Sequence, residues 1–154
     1  MSRESIASSL FALVSAATFA SPVAGASTWR TASRRLRLWA DVLPDQQPAM
    51  FLVEHDEEAA WSGRGRLERT TSDYSLLCYA PAPAPSAVGG TLVNLMLDGI
   101  VAALAPDDAA AGVLTLGRQV LWCRIEGRVF KDPGDIDGQA LLIVPIRAVW
   151  PGGV

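Results

Sequence analysis

The only histidine, His55, stands in the run Glu54-His55-Asp56-Glu57-Glu58. An imidazole beside carboxylates can serve general acid–base chemistry or ligate a metal. Both need a convergent partner, and the sequence has no GxSxG, GxGxxG, P-loop or HExxH to supply one. The run therefore reads as a solvated, charged loop. With Gly63-Arg64-Gly65-Arg66 it reads as an exposed hairpin tip or a mobile loop. A second candidate is Asp132, Asp135, Asp137 and Gly138. Aligning Gly138 with the invariant glycine of a calcium loop puts Pro133 and Val144 at the first and last ligand positions, where neither can ligate. A polar hairpin turn is the better reading. Cys78 and Cys123 lack CxxC spacing and read as two buried thiols rather than a disulfide. These residues predict no catalytic group, no metal site and no cofactor.

One cluster invites binding. Arg30, Arg34, Arg35 and Arg37 lie between Trp29 and Trp39. Cations interleaved with aromatics can contact phosphates and stack on bases. They can also be the solvent face of an edge strand, where long cations discourage stray pairing. A third reading pairs them with Glu54, Asp56, Glu57 and Glu58 of a neighbouring copy, because unlike patches on one chain suit a head-to-tail ring. A net charge of -3 argues against a general nucleic-acid binder.

The elements that must position these residues follow from periodicity. A length of 154 residues, half of them hydrophobic, predicts one domain over 1–154 with a real core. A helix is expected from Arg3 to Thr18, capped by Ser2, with Ile6, Leu10, Leu13, Val14 and Ala17 on one face. The same stretch has the outline of a signal peptide, ending at Ala24-Gly25-Ala26. The helical face and the cancelling Glu4 favour the helix. No apolar run is long enough to predict a membrane span. Pro22 and Gly25 break the helix. Strands are expected from Ser33 to Trp39, from Ala49 to Glu54 and from Leu67 to Tyr79. A Pro-rich connection runs from Ala80 to Gly90.

A second helix is expected from Leu92 to Leu104, with Thr91 as its N-cap. It has two apolar stripes: Leu92, Met96, Ile100 and Ala103, and Val93, Leu97, Val101 and Leu104. Such a helix must be covered on two sides, by its own sheet and by something else. A partner subunit is one candidate, which makes Val93, Leu97 and Val101 candidate interface residues. Long strands from Gln119 to Phe130 and from Gln139 to Trp150 close the chain as a hairpin. The order α-β-β-β-α-β-β predicts an α/β (α+β) fold: a mostly antiparallel sheet with two helices on one face.

Several segments resemble small tail proteins of siphophages and prophages: Ser2 to Ala16 (SRESIASSLFALVSA), Arg34 to Val53 (RRLRLWADVLPDQQPAMFLV), Leu97 to Asp107 (LDGIVAALAPD), Val113 to Gly117 (VLTLG), Cys123 to Gly127 (CRIEG) and Ile143 to Pro151 (IVPIRAVWP). In order and extent they are similar to phage tail terminators, the gpU-like minor tail or tail completion proteins. The chain departs from that pattern at Ala20 to Trp29, which looks like an insertion, and in the Pro-rich connection. The resemblance implies a homohexameric ring on the head-proximal end of the tail tube. Such a ring stops tube polymerisation and joins the neck or connector, and phage DNA passes its lumen without specific binding. It implies a structural protein of the virion, present in the host cytoplasm during assembly, with no catalytic residues and no membrane partner. On that reading Arg64 and Arg66 are candidate tube or neck contacts. Head-tail connector (stopper) and tail tube subunit are the neighbouring alternatives. A secreted or periplasmic binding domain is the remote one.

Overall fold

The computed structural model describes residues 2–81 and 88–152. The first helix, α1 (Arg3–Ser15), starts in a reciprocal cap: Ser2 Oγ accepts from the Ser5 amide, and Ser5 Oγ from the Ser2 amide. It buries Ile6, Ala7, Leu10 and Val14. Of the expected face Leu13 is half-buried and Ala17 lies past the helix, which ends at Ser15 and not at Thr18 because Thr18 opens the next strand. The break that follows is itself a hairpin, β1 (Thr18–Val23) with β2 (Ala26–Thr28). Its turn uses Ala24 and Gly25, both at positive φ, the geometry that suits a two-residue hairpin. Burial of Phe19 and Val23 anchors it.

β3 (Thr31–Ser33) runs parallel to the start of β4 (Ala49–Trp61). The strand expected from Ser33 to Trp39 does not form. Ser33 Oγ accepts from the Arg35 amide and turns the chain off the sheet edge. Tyr79 Oη then donates to the Arg37 carbonyl, and Trp39 packs edge-on against the Tyr79 ring. Aromatic packing overrides the alternation of Arg35, Leu36, Arg37 and Leu38. Two short 3-10 turns, Trp39–Asp41 and Pro44–Gln46, lead back to β4.

β4 does not stop at Glu54. It continues through the acidic run to Trp61, paired with β5 (Leu67–Pro81), with a bulge between Glu54 and Glu57. The hairpin tip lies further on, at Ser62 to Arg66, closed by the Ser62 amide on the Arg66 carbonyl. The Pro-rich connection falls mostly on 82–87, outside the described residues. α2 (Gly89–Ala103) follows Val88, which supplies no side-chain cap, and the expected cap Thr91 sits inside the first turn.

The expected long strand from Gln119 to Phe130 is two short ones, β6 (Trp122–Ile125) and β7 (Phe130–Asp132). Both pair with β8 (Gln139–Pro151), as does β5 on its other side. The break faces Pro145. Pro145 has no amide to donate, its carbonyl accepts from Glu126, and its ring lies against Gly127 at φ +118.

The six-stranded sheet has the order β3-β4-β5-β8-β6, with β7 also on β8. Every pairing in it is antiparallel except β3 with β4. The fold is α+β, with both helices on one sheet face. There Met50, Leu52, Leu76, Cys78, Leu142 and Ile146 meet Leu10, Met96 and Ile100 in one cluster. Full burial of side chains this size contributes about 2 kcal/mol each. Among the described residues the opposite face is covered at one end, where Val42 and Trp39 pack on Phe51 and Tyr79.

The second side of α2 is covered from within the chain. β1 lies on it, and the core cluster holds Phe19 and Val23 together with Val93, Ile100 and Leu104. Val93, 1% exposed, is therefore core and not an intersubunit residue.

Candidate functional site

Two charged surfaces flank the free part of β4. β3 pairs only with Ala49 to Phe51, so the outer backbone edge from Glu54 to Trp61 has no strand partner among the described residues. On the helix side of this edge the acidic residues are already neutralised by arginines of the same chain. Arg34 reaches both Glu4 and Glu54, the latter at 2.6 Å. Arg3 takes Glu57 and stacks over the Trp150 ring at 5.2 Å. Hydrogen bonds donated to Glu4 and then to Glu54 raise the Arg34 pKa, and the contact with Arg34 lowers that of Glu4. Of the expected pairing only Arg34 with Glu54 forms among the described residues, and it forms inside one chain. Of the residues expected to pair, Asp56 and Glu58, exposed on the edge, and Arg30, Arg35 and Arg37 have no ion pair among the described residues.

Arg37 is engaged differently. Its guanidinium donates to the Asp41 carbonyl and to Gln46 Oε1, and so holds the turn after β3. Arg64 and Arg66 are exposed at the tip of the β4–β5 hairpin, as expected. Leu97 is half-buried against the core, and Val101, 53% exposed, faces outward from α2.

On the opposite sheet face a polar strip crosses four strands. His55 Nε2 lies 2.9 Å from Ser75 Oγ. Next to it Asp73 accepts from Arg147 at 2.7 and 3.1 Å, and Arg147 also donates to Glu126 at 2.9 Å. Glu126 then takes Arg124, whose guanidinium lies 4.2 Å from the Trp122 ring centroid. Arg124 and Arg147 are directly opposite each other across β6 and β8, a like-charge pair that Glu126 makes tolerable. The Arg147 hydrogen bond holds the Asp73 carboxyl below its usual range. Arg124 does the same for Glu126. Beyond this strip lie the half-buried Leu77, Ile143 and Pro145. The surface can bind, since it joins satisfied charges to partly exposed apolar area, but it aligns no activated nucleophile.

Sequence reasoning missed Arg3, Asp73, Arg124, Glu126 and Arg147. Only the alternation of Arg124 and Glu126 on a strand hinted at them, because cross-strand register brings the rest together. His55 sits on strand β4, not in a loop, because the bulge lets the acidic run stay paired. Asp132 Oδ1 and Asp137 Oδ1 accept the Gly134 and Gln139 amides, which is turn chemistry. Among the described residues no three His, Cys, Asp or Glu side chains converge as metal ligands. Cys78 and Cys123 are free and buried. Burial raises both thiol pKa values, that of Cys123 to about 12. No described helix is long and apolar enough to cross a membrane.

No protein-family model matches the chain, and none of the curated proteins compared with it matches.

Proposed function

We infer that this chain is a phage tail terminator, a structural protein that caps the head-proximal end of a tail tube as a homohexameric ring. The observation that carries the reading is that the resembling segments form one contiguous frame. Leu97 to Asp107 is the second half of α2 and its exit, Cys123 to Gly127 carries β6, and Ile143 to Pro151 is most of β8. The departure at Ala20 to Trp29 is largely the β1–β2 hairpin, an addition on top of that frame. The free β4 edge, the tip with Arg64 and Arg66, and the half-open sheet face offer separate surfaces for subunits, tube protein and neck. A net charge of -3 suits a lumen through which DNA slides without sticking.

The test is native mass spectrometry of the chain with and without the tail tube protein encoded in the same genome, followed by electron microscopy of tubes. A sixfold species that binds one tube end and halts growth is expected. A strict monomer that ignores the tube protein overturns the reading. Unaided growth into long tubes points instead to a tube subunit.

A further inference from the structure

The outer edge of β4 carries opposite free charges at its two ends. Arg34 takes Glu54 and Arg3 takes Glu57. Asp56 and Glu58 remain, exposed and without an ion pair among the described residues. At the other end Arg64 and Arg66 stand exposed on the hairpin tip, also without an ion pair among the described residues. Behind them on β5, Glu68 and Arg69 are of opposite sign, so the tip stays net positive. Between the two ends lie Ala59, Ala60 and Trp61, and Trp61 is 63% exposed.

A free edge is a template for a further strand, and unpaired carboxylates on it repel most candidates. A strand with the reverse order of charge is accepted, because its cations meet those carboxylates. The same edge of a second copy, run antiparallel, has that order. Its backbone is ready as well. The Ser62 amide bonds across the hairpin to the Arg66 carbonyl, so strand alternation turns the Ala59 and Trp61 backbone groups outward.

The side chains select the register. In an antiparallel pair opposite residues share a face, and a two-fold axis sets its central residue against itself. An axis at Glu58 puts two like charges in contact, which is destabilising. One at Ala59 puts Glu57 against Trp61 and brings Arg64 to Glu54, which Arg34 already holds. One at Trp61 sets strand against turn, since β4 ends there. An axis at Ala60 puts Trp61 over Ala59, a large side chain on a small one, and Glu58 opposite Ser62. It also brings Arg64 alongside Asp56, a free cation to a free acid. Ala59 and Trp61 of each copy then exchange backbone hydrogen bonds with Trp61 and Ala59 of the other.

We propose that two copies of this chain pair their β4 edges antiparallel about a two-fold axis at Ala60, as an isologous dimer. Such a contact closes at two copies. It is therefore distinct from any head-to-tail ring contact and does not rest on the tail-terminator reading.

Sedimentation velocity over a concentration series up to the millimolar range tests it. Wild type is expected to form a dimer. Arg64→Glu and Asp56→Arg change exposed positions, and each variant should need at least about tenfold more protein to dimerise. Each single variant paired with itself repeats a like-charge contact twice. Mixed in equal amounts, the two should dimerise as wild type does, because both contacts then join opposite charges. The same two changes in one chain should also restore the dimer. Amide exchange from Ala59 to Trp61 should slow in step with dimer formation. A wild type that stays monomeric throughout, or single variants that dimerise as wild type does, overturns the proposal. So does a mixture no better than its components, or a dimer whose edge amides exchange as fast as the monomer's.

Discussion

Gly99 of α2 lies against Phe19 of β1. A β-carbon on Gly99 would stand 2.7 Å from the Thr18 carbonyl oxygen and 2.8 Å from the Phe19 ring. This approach lets the β1–β2 hairpin close over a helix that is apolar on two sides. It explains why α2 does not need a second subunit to bury Val93.

Gly99→Ala is expected to destabilise the fold by about 1–3 kcal/mol, although alanine is the better helix former, because the methyl must displace backbone. Gly90, in the first turn of α2, has no described atom within 4 Å of where a methyl would stand. Gly90→Ala should therefore be neutral or stabilising by up to about 1 kcal/mol. Urea midpoints of the two variants decide it. Equal effects would mean the hairpin does not press on α2.

Arg34→Glu sets a third acidic group beside Glu4 and Glu54 and should lower stability by about 1 kcal/mol, since the pairs are partly exposed. Adding Glu54→Lys in the same chain should recover most of the loss. The recovery should be independent of protein concentration, because the pair is intrachain. Thermal melts at two concentrations check this, and a concentration-dependent rescue would return the pairing to neighbouring copies.

Acid should unfold the protein through its paired carboxyls. Glu4, Asp73 and Glu126 titrate below their usual range through hydrogen bonds from Arg34, Arg147 and Arg124 respectively. For Asp107 burial pushes upward, but the Gly117 and Thr115 amides outweigh it and the net shift is downward. A carboxyl with a lowered folded pKa contributes stability above its unfolded value, about 4. That contribution is lost as pH falls through the lower folded value. Urea midpoints should therefore hold from neutral pH to about 5 and drop below about 4. Asp73→Asn should make that drop shallower; an unchanged acid limb would mean Arg147 does not hold Asp73.

Cys78 and Cys123 should resist iodoacetamide in the native protein at neutral pH and react after unfolding in urea. Burial keeps both thiols protonated and out of reach. Mass spectrometry counts the adducts, and rapid labelling of either native thiol contradicts the packing.

Much of the fold was legible in the residues. Ile6, Leu10 and Val14 mark α1, the two stripes of α2 announce a helix covered twice, and alternation identifies β5 and β8. The helices fall on one face of a mostly antiparallel sheet, as their order suggests. Local periodicity records which face of an element is apolar, and it does so within one element at a time.

Contacts between elements decided the rest. The alternation of Leu36 and Leu38 lost to the packing of Trp39 on Tyr79. The acidic run stayed in β4 because Arg3 and Arg34, distant in sequence, neutralise it. Pro145 split one expected strand into β6 and β7. The hairpin between Thr18 and Thr28 became the cover for α2 through Gly99. The sequence by itself determined the two helices, the strands β5 and β8, and which of their faces would seek burial. Only the tertiary structure decided which partner each face and each charge received, because register and ion pairing join residues whose sequence separation carries no local signal.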